Sequence, residues 1–152
     1  MADTAGRISA DVLLVDDDPA DVILIQEAFE QYAVRNTLHV VADGEQALQF
    51  LRQEGRFSGV PRPGLVLLDL NLPRRNGLEV LAEMRADSGL AAIPVVILTT
   101  SRAPEDILSS YRLYASAYIS KPTDYDEFTA TIGSIDSFYL RLAQLPGAPA
   151  DL

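Results

Sequence analysis

The 152-residue sequence predicts an α/β protein, a five-stranded parallel sheet doubly wound with helices on both faces. Five short apolar runs alternate with five amphipathic stretches, the pattern of successive βα units in one chain. Most of the runs are nearly continuous in Val, Ile and Leu instead of alternating with polar residues, as strands covered on both faces read. The stretches between them carry helix-start signals, which separates them from loops.

The first run, Asp11–Asp16 (DVLLVD), leads into Asp18-Pro19, an N-cap followed by Pro at the first helical position. The second run is Thr37–Val41 (TLHVV). Asp43 with Gln46 three residues on then forms a capping box that opens the second helix. Gly55 to Gly64 is rich in Gly and Pro and is read as a long loop, not a domain linker, since two βα units alone would leave a sheet with an unburied face. The third run is Gly64–Asp69 (GLVLLD). Asn76-Gly77 is formally a hairpin signal, but Leu78, Leu81 and Met84 follow at helical spacing, so a loop entering a helix is expected. Pro94–Thr99 (PVVILT) is the fourth run and Pro104 opens the helix after it. Ala117–Ser120 (AYIS) is the fifth, and Thr123 precedes an Asp-rich first turn of the last helix. That helix is expected from Asp124 to Ala143, about 30 Å at 1.5 Å per residue. Residues 11–145 form the expected domain, between a flexible leader at 1–10 and a frayed tail at 146–152.

Composition removes several function classes. Twelve Lys and Arg against 22 Asp and Glu leave a net charge of −10, which repels nucleic-acid phosphates. With no cysteine there is no thiol nucleophile, Cys-ligated zinc or disulfide framework, and the single His39 cannot build a multi-histidine metal site. A hydrophobic content of 48% separates the chain from acidic disordered segments. The apolar runs are too short to span a bilayer and the first ten residues lack a signal-peptide core, so a cytoplasmic protein with no membrane association is expected.

In a parallel sheet all C-terminal strand ends lie on one edge, where ligands bind. Those ends here are Asp16-Asp17-Asp18, Asp69, Thr99-Thr100 and Lys121, with Asp17 to Asp69 and Asp69 to Lys121 each 52 residues apart. Taken singly each has a plain explanation: Asp18 is first of all a helix cap, Thr99 or Thr100 a β-branched strand residue, Lys121 a solvated charge. Chance poorly explains all of them together on one edge. Asp16, Asp17 and Asp69 bring three negative charges together and Lys121 offsets one, so the cluster calls for a cation. The donors are hard oxygens, which favours Mg2+ over zinc.

VDDDP, LLDLNLPRRNG, PVVILTTS and AYISKP together resemble the phosphoacceptor receiver domain of two-component response regulators, over nearly the whole chain from Asp11 to about Ala143. The resemblance implies a flavodoxin-like fold with strand order 2-1-3-4-5. It implies Asp69 as the phosphoacceptor, Asp17 as a direct Mg2+ ligand, Asp16 as a ligand through water, and Asn71 as a ligand through its backbone carbonyl. Lys121 would contact the phosphoryl oxygens, Thr99 would be the switch hydroxyl and Tyr118 the aromatic that changes rotamer with it. The Lys121–Pro122 bond is typically cis in such domains. The donor would be a phosphohistidine on a separate sensor histidine kinase, while His39, in the second strand, would be a packing residue. The chain would not be an enzyme beyond its own phosphotransfer and autodephosphorylation.

No effector domain is expected after the receiver-like segment, so output is expected to be a protein contact. Seven of the eleven aromatic residues lie from Tyr111 to Tyr139, on the fourth helix, fifth strand and fifth helix. Tyr111, Tyr114, Phe138, Tyr139 and Leu142 are the expected interface, and homodimerisation through this face is expected from an apolar helix end overhanging the sheet. The DLNLPRRNGLEVL and PVVILTTSRAPEDI segments look like single-domain regulators paired with phytochrome-type or hybrid sensor kinases. A phosphorelay intermediate or a phosphate sink are alternative uses of the same site. Outside this class, a phosphatase of the haloacid-dehalogenase type would need a carboxylate two residues after Asp69, where Asn71 stands, and an FMN binder would need a Ser/Thr/Gly-rich first loop in place of DDDP.

Overall fold

Val and Leu at alternating positions of the central strands feed two separate cores, one on each face of the sheet. In the computed structural model, residues 11–31, 37–142 and 144–146 are described. The expected leader at 1–10 and the tail beyond Pro146 lie outside them. The elements run β1 (Asp11–Val15), α1 (Pro19–Gln31), β2 (Thr37–Val41), α2 (Gly44–Arg52), β3 (Leu65–Leu68), α3 (Gly77–Ala86), β4 (Val95–Thr99), α4 (Pro104–Arg112), β5 (Ala117–Ser120) and α5 (Tyr125–Ile135). All strand pairs are parallel, in the order 2-1-3-4-5.

Leu13 and Val15, Val66 and Leu68, and Val95 and Ile97 face α2 and α3, packing on Ala47, Leu48, Leu51, Val80, Leu81 and Met84. Val12 and Leu14, Leu65 and Leu67, and Val96 and Leu98 face the other way, onto Ile25, Ala28 and Phe29 of α1 and Phe128, Ile132 and Ile135 of α5. Every residue of β3 and β4 is buried, which accounts for the unbroken apolar runs. The edge strands differ: β2 exposes Thr37 and Val40, and every residue of β5 is half-buried. Each fully buried Leu, Ile or Val contributes about 1.5–3 kcal/mol, so the three central strands anchor the sheet.

The helix starts follow local chemistry. Asp18 caps α1 through the Ala20 N–H at 2.9 Å. Asp43 accepts from the Gln46 N–H at 2.8 Å, but the Gln46 side chain returns to the Ala42 N–H and not to Asp43, so the expected box is displaced by one residue. Asn76 and Glu79 form a full reciprocal box at the start of α3, which settles Asn76-Gly77 as a helix entry. For α5 the cap is Asp124, accepting from Glu127 at 2.9 Å, and not Thr123. Gly55 to Gly64 is a loop with one 3-10 turn at Gly55–Phe57.

The last helix is extended, but it changes winding. Eleven α-helical residues of α5 continue as a seven-residue π-helical segment, Asp136–Leu142. The wider winding turns Phe138 outward while Tyr139, Leu140 and Leu145 pack back on the α1–α5 core. Much of the expected apolar overhang is therefore covered. Every described peptide bond is trans, Lys121–Pro122 included, so the cis bond implied by the resemblance is absent. Among the described residues no helix is long and apolar enough to cross a membrane.

Gly77 sets how closely α3 approaches the end of β3, because a Cβ there would stand 2.3 Å from the Asp69 carbonyl oxygen and 2.7 Å from the Leu70 Cα. Only a residue without a side chain lets the helix start so near the strand. Gly77→Ala should destabilise the fold by about 2 kcal/mol or more in urea unfolding. Gly59→Ala, whose added Cβ meets nothing within 4 Å, should change stability by less than about 0.5 kcal/mol.

Candidate functional site

Backbone bonds carry the sheet ladder one residue past the strand ends and thereby fix the acids and the lysine. The Asp16 N–H donates to the Val41 carbonyl at 3.1 Å, Asp69 to Val15 at 3.0 Å, and Lys121 to Thr99 at 2.7 Å. The side chains following β1, β3 and β5 therefore share one edge with little freedom to leave it.

At that edge the Lys121 ammonium donates to three carboxylates: Asp16 Oδ2 at 2.8 Å, Asp21 Oδ2 at 2.8 Å and Asp69 Oδ2 at 2.9 Å. An ammonium has three protons, and all are placed. The second oxygens of the two strand-end acids are held by main chain, Asp16 Oδ1 by the Asp18 N–H at 2.9 Å and Asp69 Oδ1 by the Asn71 N–H at 3.2 Å. Asp16, Asp69 and Lys121 are buried, with relative exposures of 2%, 7% and 5%, whereas Asp17 is open to solvent.

Burial pushes the Asp16 carboxyl above its ordinary value, and the bonds from Lys121 and the Asp18 N–H offset only part of that. For Lys121 burial pulls down, but the hydrogen bonds it donates to Asp16, Asp21 and Asp69 outweigh it and hold the ammonium above its ordinary range. The lysine is thus a permanent charge. Asp16, Asp17 and Asp69 each offer an oxygen within 4.8 Å of the other two. Three hard anionic donors, one with an open side toward water, fit a divalent cation of the magnesium or manganese kind. Asn71 is exposed, and its backbone carbonyl is one residue beyond Leu70, on the loop leaving the same strand end.

Thr99 ends β4 and is fully buried, its hydroxyl oxygen approached by the Ser101 N–H at 3.4 Å. Tyr118, on β5, is half-buried against the α2–α3 core, and its hydroxyl donates to the Ser101 carbonyl at 2.9 Å. The two expected switch residues thus meet at one loop residue. The Tyr118 N–H, on the free edge of β5, donates to the Tyr111 hydroxyl oxygen of α4 at 3.1 Å. His39 lies within β2, its Nε2 3.0 Å from Asp11 Oδ1 at the opposite end of β1 and its ring against Phe50, as expected of a packing residue.

Two roles are not evident in the sequence. Asp21 is a third lysine partner, and the one signal for it is its position in the first turn of the helix that follows the aspartate run. Tyr111 is expected only as an interface residue, yet its hydroxyl also caps the sheet edge. Of the expected interface residues, Tyr111, Tyr114 and Phe138 are 48%, 77% and 54% exposed, while Tyr139 is half-buried. The side chain of Leu142 lies outside the described residues. Tyr114 has a left-handed backbone, φ 62°, and its carbonyl is held at 2.9 Å by Arg85, which also donates to the carbonyls of Leu113, Ala91 and Ile93.

A cation that binds only the folded chain stabilises it, by about 2.7 kcal/mol at a hundred times its Kd. Titration with Mg2+ or Mn2+ should raise the melting temperature progressively. Asp17→Asn, which alters an exposed carboxylate, should leave the metal-free melting temperature in place and remove most of the rise.

Comparison with known proteins agrees with this geometry. The family model for the response regulator receiver domain matches residues 12–133. Response regulator Rcp1 of Synechocystis sp. is 41% identical over 137 residues, 90% of this chain and 93% of Rcp1. The phosphorylated cyanobacterial phytochrome response regulator RcpA is 42% identical with a TM-score of 0.88, over 91% of this chain and 99% of RcpA. The crystal structure of the Mn2+-bound form of Rcp1 gives 40% identity and a TM-score of 0.87, over 90% and 99% of the two chains. Sheet order, acidic edge and family match coincide, and the chain belongs to the response regulator receiver domain family of two-component signalling.

Proposed function

We propose that this chain accepts a phosphoryl group on Asp69 from the phosphohistidine of a sensor histidine kinase, with Mg2+, and signals through protein contact. The observation that carries the reading is the Asp69 carboxylate, fixed by the Asn71 N–H and by Lys121 beside the oxygens of Asp16 and Asp17. In the transfer an Asp69 oxygen bonds to phosphorus while the phosphorus–nitrogen bond to the kinase imidazole breaks, the imidazole keeping the electron pair and taking a proton. Such transfers need positioning and charge stabilisation more than covalent help.

The cation, held by Asp16, Asp17, Asp69 and the Asn71 carbonyl, would neutralise charge on the phosphoryl oxygens. Lys121 would give one of its N–H groups to the same oxygens. Burial of Asp69 restricts water, which favours a stored acyl phosphate over continuous turnover. The chain's chemistry is then its own phosphorylation and autodephosphorylation, and the protein is a cytoplasmic signalling component, not an enzyme acting on a substrate pool.

Thr99 and Tyr118 would carry the change outward. The new phosphoryl charge, about −1.5 to −2, would draw the Thr99 hydroxyl, and the Ser101 loop that both residues touch would relay it to Tyr118 and α4. Likeness to RcpA, a phytochrome response regulator, supports a phytochrome-type kinase as donor. The exposed Leu108, Tyr111, Tyr114 and Phe138 support a homodimer through α4, β5 and α5.

Incubation with acetyl phosphate and Mg2+ should place one hydroxylamine-labile phosphate on each chain, none on Asp69→Ala, and none when the cation is chelated. Steady turnover of phosphomonoesters, or a bound yellow flavin, would contradict the reading. In light scattering the mass should approach twice that of the chain as concentration rises, and Tyr114→Ala should shift that transition to about tenfold higher concentration. A concentration-independent monomer, phosphorylated or not, would exclude the dimer.

A further inference from the structure

The Lys121 ammonium has three carboxylate partners, and two of them belong to the acidic trio that offers oxygens to a cation. Asp16 and Asp69 are in that trio, whereas Asp21 is not. Asp69 is also the acceptor. In the loaded state both would be committed elsewhere, and the lysine would lose two of the three bonds that now hold it. Asp21 is the carboxylate that stays free for it.

We propose that Asp21 is a positioning residue for Lys121, holding the ammonium at the acceptor edge when Asp16 and Asp69 are engaged by the cation and the phosphoryl group. This rests on the proposed phosphoacceptor function and adds to it. The geometry suits the task. Asp21 Oδ2 lies 2.8 Å from Lys121 Nζ, and its side chain is 18% exposed, so the pair is largely shielded from solvent. Asp21 stands on the first turn of α1, which Asp18 caps and which Ile25, Ala28 and Phe29 anchor in the core. Its position is therefore set by the packed body of α1 as well as by the loop that leaves β1. A lysine side chain has four flexible methylenes and about 2 kcal/mol of rotamer entropy. A cation beside it would repel it from the site, and a fixed carboxylate outside the metal-binding trio opposes that repulsion.

The alternative is that Asp21 acts only through its charge. Removing a negative charge near the acceptor favours an anionic ligand, so a purely electrostatic role predicts tighter binding and faster labelling in Asp21→Asn. A positioning role predicts the reverse, and the sign of the effect decides.

The experiment uses the full chain and its Asp21→Asn and Asp21→Glu variants, checked for an unchanged melting profile. Affinity for Mg2+ alone and for beryllofluoride in saturating Mg2+ is measured by tyrosine fluorescence or fluorine NMR, and the rate of labelling by acetyl phosphate is followed alongside. Asp21→Asn should weaken beryllofluoride binding about tenfold and slow labelling to match, with Mg2+ affinity changed less than about twofold. Asp21→Glu should recover much of the loss. Equal or tighter beryllofluoride binding in Asp21→Asn, or a loss matched fully by weaker Mg2+ binding, would overturn the inference. If Asp21→Asn unfolds, the same comparison rests on Asp21→Ser, which also removes the carboxylate and should weaken beryllofluoride binding about tenfold, whereas equal or tighter binding overturns the inference. A wild-type chain that binds Mg2+ but takes neither beryllofluoride nor phosphate would remove the proposed function itself, and this inference with it.

Discussion

One buried ammonium organises the acidic edge of this molecule. Without Lys121 the carboxylates of Asp16, Asp21 and Asp69 would face one another with their charges uncompensated in a partly desolvated pocket, and removal of one partner from such a cluster commonly costs about 3–5 kcal/mol. The arrangement contains its own tension. Burial raises Asp16 even with the lysine bonded to it, so the edge favours any further positive charge that can enter. A site built this way is stable enough to fold and short of cations enough to bind one.

The fold was legible because its physics is repetitive. Central strands covered on both faces leave unbroken Val and Leu runs, and Asp, Asn and Pro mark helix starts through local hydrogen bonds that any sequence window contains. Asp16, Asp69, Thr99 and Lys121 could be placed on one edge for the same reason, since their positions follow from parallel topology alone. What stayed hidden depended on longer contacts or on competition between near-equal local choices. Within its own window Asp21 is a first-turn acid, and its partner is a lysine one hundred positions away that only the folded sheet brings to it. Asp124 and Thr123 are both good caps, and only the backbone decides between them. The π winding after Asp136 reflects how Tyr139 and Leu140 settle on α1 and α5, which periodicity within one helix does not encode.

The face bearing α4 stands apart from the rest. Ser110 is the one residue of α4 that is fully buried, so the helix is held less by apolar packing than by particular bonds. Tyr111 ties its last turn to the edge of β5, and just beyond that turn Arg85 binds the carbonyls of Leu113 and Tyr114. Helices held by a few polar bonds are drawn from the low-stability end of a fold and are suited to movement. Here such a helix lies between the loop of Ser101 and an exposed aromatic surface.

Because neighbouring residues of β1, β3 and β4 serve opposite cores, the chemical edge and the hydrophobic interior are locked in phase. Inserting one residue into β3 would reverse which face each Leu serves and carry Asp69 off the edge in the same stroke. Side chains inside the strands can drift among apolar types over evolutionary time, whereas strand lengths cannot. Freedom to grow lies at the opposite end of the sheet, and the chain keeps its longest described connection there, from Gln53 to Gly64. Lineages descended from such a sequence would diverge by lengthening that far side while the acidic edge stayed the same size.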